Sequence, residues 1–283
     1  MDRAEQNKIE QKRLTKSVRS FVGMNLFQKP ISGRHCDPKS SFGRRAWLAF
    51  TLAEVLIVLG IIGIVAEMTI PTLVQNTQEK VTVVSLKKVY STLTQAYTMA
   101  AQENGPPSEW GLVANDSPVG AQNIMEKLSP YLRLSKICGD QGGCWADVVT
   151  TFLSGNASQN NNLNPAFYKA MLADGTSILT YSYGSCRAAA EPLWQVCGYA
   201  TVDVNGFKKP NIIGEDIFPF TLTNGGFIPA GSKNGGEYPF DGYCKDKTAF
   251  FAGIGCTAWV IYNENMDYKK CSDLSWDGKH KCS

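Results

Sequence analysis

A run of mostly apolar residues with a carboxylate inside it constrains this chain more than any other feature of its sequence. The run covers residues 50–70. As an α-helix these 21 residues would be about 31 Å long, which matches a bilayer core of roughly 30 Å. Arg44 and Arg45 stand just before the run, and basic residues favour the cytoplasmic side for that end of a span. The sequence therefore predicts one membrane-spanning helix whose N-terminal end stays in the cytoplasm.

The carboxylate inside the run is Glu54, and twelve residues without a charge follow it. A signal peptide or a plain membrane anchor would explain the run but not the carboxylate, which costs about 2.5 kcal/mol or more near the bilayer centre. No Lys or Arg follows before Lys80, so the sequence predicts no cationic partner on the same helix. Cleavage after Ala49 would create one, because the new α-amino group of Phe50 could neutralise Glu54 of a neighbouring copy.

The residues around Glu54 resemble the class III prepilin signal of type IV pilins, type II secretion pseudopilins and competence pilins. The usual form of that signal is a small residue followed by Phe-Thr-Leu-x-Glu, and here Ala49 precedes Phe50-Thr-Leu-Ala-Glu54. The resemblance implies cleavage between Ala49 and Phe50 by a membrane-embedded prepilin peptidase and N-methylation of Phe50. It also implies that Glu54 acts in assembly and methylation.

Three further residues fit the resemblance, and two features depart from it. Pro71 falls where these proteins carry a helix-perturbing proline, and Gly60 and Gly63 fall in their flexible mid-helix region. Ala49 stands where the family nearly always has Gly, which implies slower processing. The leader of 49 residues is long, and a start at Met24 instead of the first residue would shorten it to 26.

The resemblance also implies a function and a location. We expect a structural subunit of a type IV pilus or a type II secretion pseudopilus, held in the bacterial inner membrane by one span before it joins a filament. Its expected partners are other pilin or pseudopilin subunits, the prepilin peptidase and an inner-membrane assembly platform. The alternative is a minor or tip pilin, or an anchored binding module such as an adhesin or a DNA-uptake component, whose disulfide-rich body recognises a ligand.

The distribution of charge agrees with an exported body. Residues 1–49 hold eleven Lys and Arg and four Asp and Glu, whereas residues 50–283 hold seventeen and twenty-one, so the two parts carry net charges of +7 and −4. A nucleic-acid-binding body would be basic, so a nucleic-acid partner is not indicated. The body has one histidine, His280, and no Gly-rich phosphate loop, so we expect no enzymatic activity and no catalytic residues.

The cysteines follow the same division, with Cys36 in the leader and eight in the body. An even number in the exported part predicts disulfides formed in an oxidising compartment. Among the 105 ways to pair eight cysteines, we predict the local pairs Cys138–Cys144, Cys186–Cys197, Cys244–Cys256 and Cys271–Cys282. Zinc is the alternative, but the sequence contains no Cys-x-x-Cys motif and the body only one histidine.

The resemblance implies an α+β fold in which one long N-terminal helix packs on an antiparallel β-sheet, as in pilins, and the cysteines predict a disulfide-stapled C-terminal region. Apolar residues at spacings of three and four from Leu86 to Ala100 predict an amphipathic second half of the helix, kinked or interrupted at Pro71. The predicted parts are a removed leader, a membrane or filament-core helix, its amphipathic continuation and a globular domain, at residues 1–49, 50–70, 71–104 and 105–283.

Within the globular domain, short β-prone runs predict strands and two stretches predict short helices. The predicted strands are Ser177–Tyr183, Tyr199–Val204 and Thr257–Tyr262, and the predicted helices are Ala121–Leu134 and Pro165–Leu172.

Oxygen-bearing side chains surround a tight turn in the segment 202–218. Asp203 and Asn205 precede Gly206, and Asp216 follows, an arrangement that resembles half of a calcium loop. The segment is not an EF-hand, because the twelfth residue from Asp203 is Gly214 and not the required Glu. Calcium is therefore a candidate ligand and no other cofactor is predicted. The alternative is a hairpin in which Asn205-Gly206 forms a type I′ turn and Asp216 caps locally.

Overall fold

The computed structural model describes residues 51–113, 118–188, 195–233 and 238–282 of the chain. The chain divides into two compact units, Met1–Leu56 and Ile57–Ser283. The predicted processing residues Arg44, Arg45, Ala49 and Phe50 lie outside the described residues, as does the leader 1–49.

The first helix, α1, runs from Leu52 to Asn104 without a break. Pro71 lies inside it, so one long helix is confirmed and the first of the two predicted alternatives at Pro71, an interruption, is wrong; the proline still lacks the N–H of one helical hydrogen bond. Gly60 and Gly63 lie on open sides of the helix, where an added Cβ would meet no atom within 4 Å.

The second half of α1 buries one face, as the spacing of its apolar residues predicts. The fully or nearly fully buried side chains on this face are Val83, Leu86, Val89, Leu93, Ala96 and Ala100. Their spacing of three or four residues places them on one stripe of the helix, which packs into the main hydrophobic core. Tyr90 is stacked on Phe220 at 5.7 Å between ring centroids, which joins this face to the sheet.

An eight-stranded sheet forms the centre of the body, with the order β1-β3-β4-β5-β7-β6-β2 and β8 paired to β7. Its strands are β1 Leu134–Gly139, β2 Thr151–Phe152, β3 Tyr168–Leu172, β4 Ser177–Ala188, β5 Gln195–Asp203, β6 Ile212–Ile213, β7 Ile217–Thr223 and β8 Gly226–Pro229. The sheet is mixed, so the prediction of a purely antiparallel sheet is wrong. β6 pairs in parallel with β2 and β7. Because β2 and β6 are two-residue segments of loops, these parallel pairs form without the helical crossover that longer parallel strands need.

The remaining regular helices are short. α2 spans Pro118–Leu128 and is followed by a 3₁₀ turn at Ser129–Tyr131, so it ends before the predicted Leu134. α3 spans Thr257–Asn263. Single turns also occur at Pro107–Glu109, Asp241–Lys245, Ile254–Cys256 and Asp267–Lys269.

Two predicted elements have the wrong type. The stretch predicted as the strand Thr257–Tyr262 is α3, and the predicted helix Pro165–Leu172 contains β3. A short apolar run has no periodicity that separates a buried strand from a buried helix, so tertiary contacts decide between them. Trp259 of α3 stacks on Phe240 at 4.3 Å between centroids, a contact between residues far apart in sequence.

The sheet is covered on both faces. One face belongs to the main core and contributes Ile178, Ala200 and Phe218 among others. The opposite face forms a smaller core in which Leu179 packs with Phe152 of β2 and with Trp145 and Phe167 from the connecting loops.

All eight cysteines of the body form the four local disulfides that the sequence predicts: Cys138–Cys144, Cys186–Cys197, Cys244–Cys256 and Cys271–Cys282. They close short segments of the body, with sequence separations of 6 to 12 residues. Disulfides of this kind restrict the unfolded chain, and a typical one raises the free energy of unfolding by about 2–4 kcal/mol.

Lys169 is a fully buried charged side chain on β3. Its ammonium donates hydrogen bonds to the backbone carbonyl oxygens of Asp140 and Asn164 at 2.9 Å and of Phe167 at 3.1 Å. Burial lowers the pKa of this ammonium, against an opposing effect of the Asp140 charge. The lysine therefore joins the first disulfide loop to the turn before β3 by satisfying carbonyls from both.

We expect Lys169→Met to destabilise the body by about 2 kcal/mol or more, because it removes the ammonium donor from three buried or partly buried carbonyl groups. The measurement is urea-induced unfolding of the full chain in detergent. Lys136→Met is the matched control: Lys136 is exposed and donates to the single carbonyl of Gly143, so its loss should cost less than about 1 kcal/mol. Equal losses in the two variants would show that Lys169 has no special structural role.

Candidate functional site

The first part of α1 exposes an apolar surface. Twelve large apolar side chains between Leu52 and Ile70 are 46–81% exposed. Soluble monomers rarely expose contiguous apolar patches of this size. Among the described residues, α1 is the one helix long and apolar enough to cross a membrane, and a signal sequence would meet the same criterion.

Glu54 caps the N-terminus of α1. Its carboxylate accepts hydrogen bonds from the backbone N–H of Thr51 at 3.0 Å and from the Thr51 hydroxyl at 3.1 Å. The Thr51 hydroxyl oxygen in turn accepts the backbone N–H of Glu54 at 3.2 Å. These reciprocal bonds form a capping box. The carboxylate thus has an unpredicted polar partner beside it, and this partner, Thr51, is neutral.

The segment between β5 and β7 forms a compact loop around Asp203 and Asp216, both almost fully buried. One Asp216 oxygen, Oδ2, accepts the backbone N–H of Asn211 at 2.8 Å and the side-chain amide of Asn205 at 3.0 Å. The other, Oδ1, accepts the backbone N–H of Ile212 at 2.7 Å. Asp203 Oδ1 accepts the backbone N–H of Asn205 at 3.1 Å. The structure therefore brings together all three residues predicted as calcium ligands.

Three buried oxygens of this loop have no hydrogen-bond partner within the described part of the chain. They are Asp203 Oδ2, Asn205 Oδ1 and Asn211 Oδ1. An unpaired buried polar atom is costly, so such atoms are normally satisfied by a protein group, a water molecule or an ion. Oxygens from carboxylates and amides are the ligands that Ca²⁺ prefers. The donor set fits calcium, and it adds Asn211 to the predicted residues.

Burial disfavours the ionised form of both carboxyl groups of the loop. Burial raises the pKa of Asp203 to about 8, and the nearby charge of Asp216 contributes to the rise. Burial also raises the pKa of Asp216 to about 6, although its hydrogen bonds with Asn211, Ile212 and Asn205 oppose the rise. Two carboxylates that resist ionisation together would be stabilised by a divalent cation between them.

The hairpin alternative is wrong in one part and right in another. A type I′ turn requires positive φ at both central residues. Gly206 has a φ of 68°, but Asn205 is not among the positive-φ residues of the described chain. Asp216 does cap locally, through its bonds with Asn211 and Ile212.

An ion-pair network joins this loop to α1. Lys269 pairs with Glu215 of the loop and, at 3.7 Å, with Glu79 of α1. Lys270 also pairs with Glu79, at 2.9 Å. The side chains of Glu79 and Lys269 are only 13% and 15% exposed, so this network is better shielded from water than a surface ion pair. It fixes the loop against the part of α1 that follows the apolar segment.

The sequence contains signals for some of the site residues that were not predicted. Thr51 and Glu54 have the Ser/Thr-x-x-Glu spacing of a capping box. Asn211 has a φ of 59°, a left-handed conformation that asparagine tolerates better than most residues, and it directly follows Pro210 in the same polar segment. The pairing of Glu79 with Lys269 has no local signal, because 190 positions separate the two residues (269 − 79).

A protein-family model matches residues 72–226, which cover the second half of α1 and the sheet from β1 to β7. The description of that model is a family of unknown function. No curated protein and no solved structure matches the chain.

Proposed function

The chain belongs to DUF6613, the family of unknown function whose model covers more than half of its 283 residues, and we propose that it is a pilin-like filament subunit. In this proposal its N-terminal helix anchors it in the bacterial inner membrane and then packs into the core of a type IV pilus or a type II secretion pseudopilus. The role is structural and not catalytic.

The observation that carries the proposal is a capped, solvent-exposed apolar helix with a carboxylate near its first turn. Copies of this helix can bury their apolar side chains against one another, first in lipid and then in a filament. Among the described residues, the hydrogen-bond donor to the Glu54 carboxylate is Thr51, which carries no charge. A cation from an adjoining copy would compensate that charge, and the α-amino group that cleavage creates at Phe50 is the nearest candidate in sequence.

The proposed route follows from that pairing. Prepilin peptidase cleaves between Ala49 and Phe50 and methylates the new amino group, which keeps its positive charge. Subunits then join at an inner-membrane platform, where each Glu54 faces the amino terminus of a neighbour. The body, Gly105 onward, lies outside the cytoplasm, where its four disulfides form.

We expect the mature protein from membranes to begin at Phe50 and to carry one added methyl group. Intact mass and N-terminal sequencing measure both. Ala49→Leu should leave most of the protein as precursor, because the resemblance implies that a small residue must precede the cleaved bond. Ala49→Gly is the control and should be processed at least as well as the wild type. An N-terminus elsewhere in the chain would favour a signal peptide or a plain anchor.

The alternative role is a minor or tip subunit, or an anchored binding module. A disulfide-stapled body with a cavity on one face of its sheet favours a recognition role. The share of this chain in purified filaments separates the roles, since a major subunit dominates the mass and a tip subunit is a trace component.

We also propose that the loop between β5 and β7 holds one calcium ion. Asp203, Asn205, Asn211 and Asp216 would bind it, and the three unpaired oxygens support this assignment. When bound, the ion would neutralise the two carboxylates and keep the loop in place against Lys269 and α1. Its role would be structural, stabilising the subunit outside the cell.

A further inference from the structure

A solvent-open cavity lies on the face of the sheet that carries Leu179, and Ile213 from the segment between β5 and β7 forms part of its wall. Its volume is about 220 Å³. Seven aromatic residues line it and define what we call the aromatic pocket: Phe152, Phe167, Tyr183, Tyr199, Phe220, Tyr238 and Phe251. The floor comes from the central strands β4, β5 and β7, and the sides from connecting loops.

The other lining side chains are small, apolar or neutral hydrogen-bonding groups. Gln159 and Asn161 contribute amides, and Thr201 and Thr221 contribute hydroxyls. None of the described residues that line the pocket is Asp, Glu, Lys, Arg or His. A pocket that combines aromatic rings with neutral donors and acceptors suits an uncharged ligand with both apolar and hydroxylated faces.

The rim of the pocket carries two adjacent exposed phenylalanines. Phe250 is 55% exposed and Phe251 45%, and both rings contact Phe152 inside the pocket at centroid distances of 5.9 and 5.5 Å. Exposed aromatic pairs next to a cavity extend the apolar surface available to a ligand.

A peptide is a poorer fit to this geometry. Peptides that add to a sheet need an unpaired strand edge for their backbone hydrogen bonds. The floor strands β4 and β5 each pair with two neighbours, so neither offers such an edge. The volume also lies below the roughly 300–1,000 Å³ of pockets that enclose drug-sized ligands, so the occupant is about the size of one ring.

We propose that the aromatic pocket binds a single neutral sugar residue, such as the terminal hexose of a glycan. Aromatic rings pack against the C–H faces of the sugar, while the amides and hydroxyls of the wall bond its hydroxyl groups. This binding role goes beyond the proposed assembly role and does not depend on it, because none of the pocket residues lies on α1.

Saturation-transfer NMR tests the proposal with the full chain in a detergent that has no sugar headgroup. The probes are glucose, galactose, mannose, N-acetylglucosamine and N-acetylgalactosamine, each at millimolar concentration. We expect transfer to at least one of them. Tyr199→Ala should weaken its binding about threefold to tenfold through loss of an aromatic contact. Thr201→Phe should abolish binding by filling the pocket.

The control is Tyr262→Ala, which removes an exposed tyrosine that does not line the pocket. It should bind as the wild type does. Thr221→Phe on the neighbouring strand replaces Thr201→Phe if that variant fails to fold. Absence of transfer to all five sugars, or equal transfer in the wild type and a folded blocking variant, would overturn the proposal. Binding of a phenylalanine-containing peptide in place of every sugar would assign the pocket to peptides and would also overturn it.

Discussion

Glu54→Gln is expected to reduce incorporation of this chain into filaments by roughly 100-fold or more. Removing one partner of a buried ion pair typically costs about 3–5 kcal/mol, since the other charge is left uncompensated. Glutamine keeps the capping box with Thr51, because Glu and Gln serve equally at that position. The substitution therefore removes the charge and leaves the cap. The measurement is the ratio of variant to wild-type subunits in filaments from cells that express both, determined by mass spectrometry.

Two further variants separate the two roles of Glu54. Glu54→Ala removes both the charge and the cap, so it should assemble no better than Glu54→Gln. Glu67→Gln is the matched control, because it neutralises the other carboxylate of the apolar segment and should be incorporated like the wild type. If Glu54→Gln assembled normally while Glu54→Ala did not, Glu54 would act as a helix cap, and the proposed pairing with Phe50 would be wrong.

Asp203→Asn is expected to have opposite effects on stability with and without calcium. In a chelator at about pH 8, the variant should unfold at a higher temperature than the wild type, because it lacks one of two buried negative charges. In excess calcium the order should reverse. At a free concentration 100 times its dissociation constant, an ion that binds only the folded state stabilises it by about 2.7 kcal/mol. The measurement is thermal unfolding of the full chain in detergent.

The pH dependence of the free energy of unfolding tests the same loop independently. Folding raises the pKa of Asp203 from 3.8 to about 8 and that of Asp216 from 3.8 to about 6. Between about pH 4 and 8 the folded chain therefore binds more protons than the unfolded chain, and the free energy of unfolding falls as the pH rises. Calcium should flatten this fall by displacing the protons.

The control for the calcium loop is Asp147→Asn, which removes an exposed carboxylate outside it. Its stability should change little with calcium or across this pH range. A wild-type chain whose unfolding temperature is unaffected by calcium would show that the loop binds none. The three unpaired oxygens would then need water or a proton instead.

Local patterns in the sequence determined several parts of this protein. The apolar run with its capping residues needs only its own composition to form a helix suited to lipid. The spacing from Leu86 to Ala100 identified the buried face of α1, because helical periodicity is a local property. The disulfides were predictable for a related reason, since cysteines a few residues apart meet most often in the unfolded chain.

Only the tertiary structure decided the rest. The spacing of apolar residues from Thr257 to Tyr262 does not distinguish a strand from a helix. The segment is helical in the folded protein, where Trp259 packs on Phe240. A lysine in a short strand is normally a surface residue, but the ammonium of Lys169 is enclosed by the nearby carbonyls of Asn164 and Phe167 and by that of Asp140, 29 residues away. The loop around Asp203 and Asp216 likewise depends on burial, which raises the pKa values of both carboxyl groups. Burial results from contacts between residues far apart in the chain. The local sequence does not show which distant side chains will exclude water from a given residue.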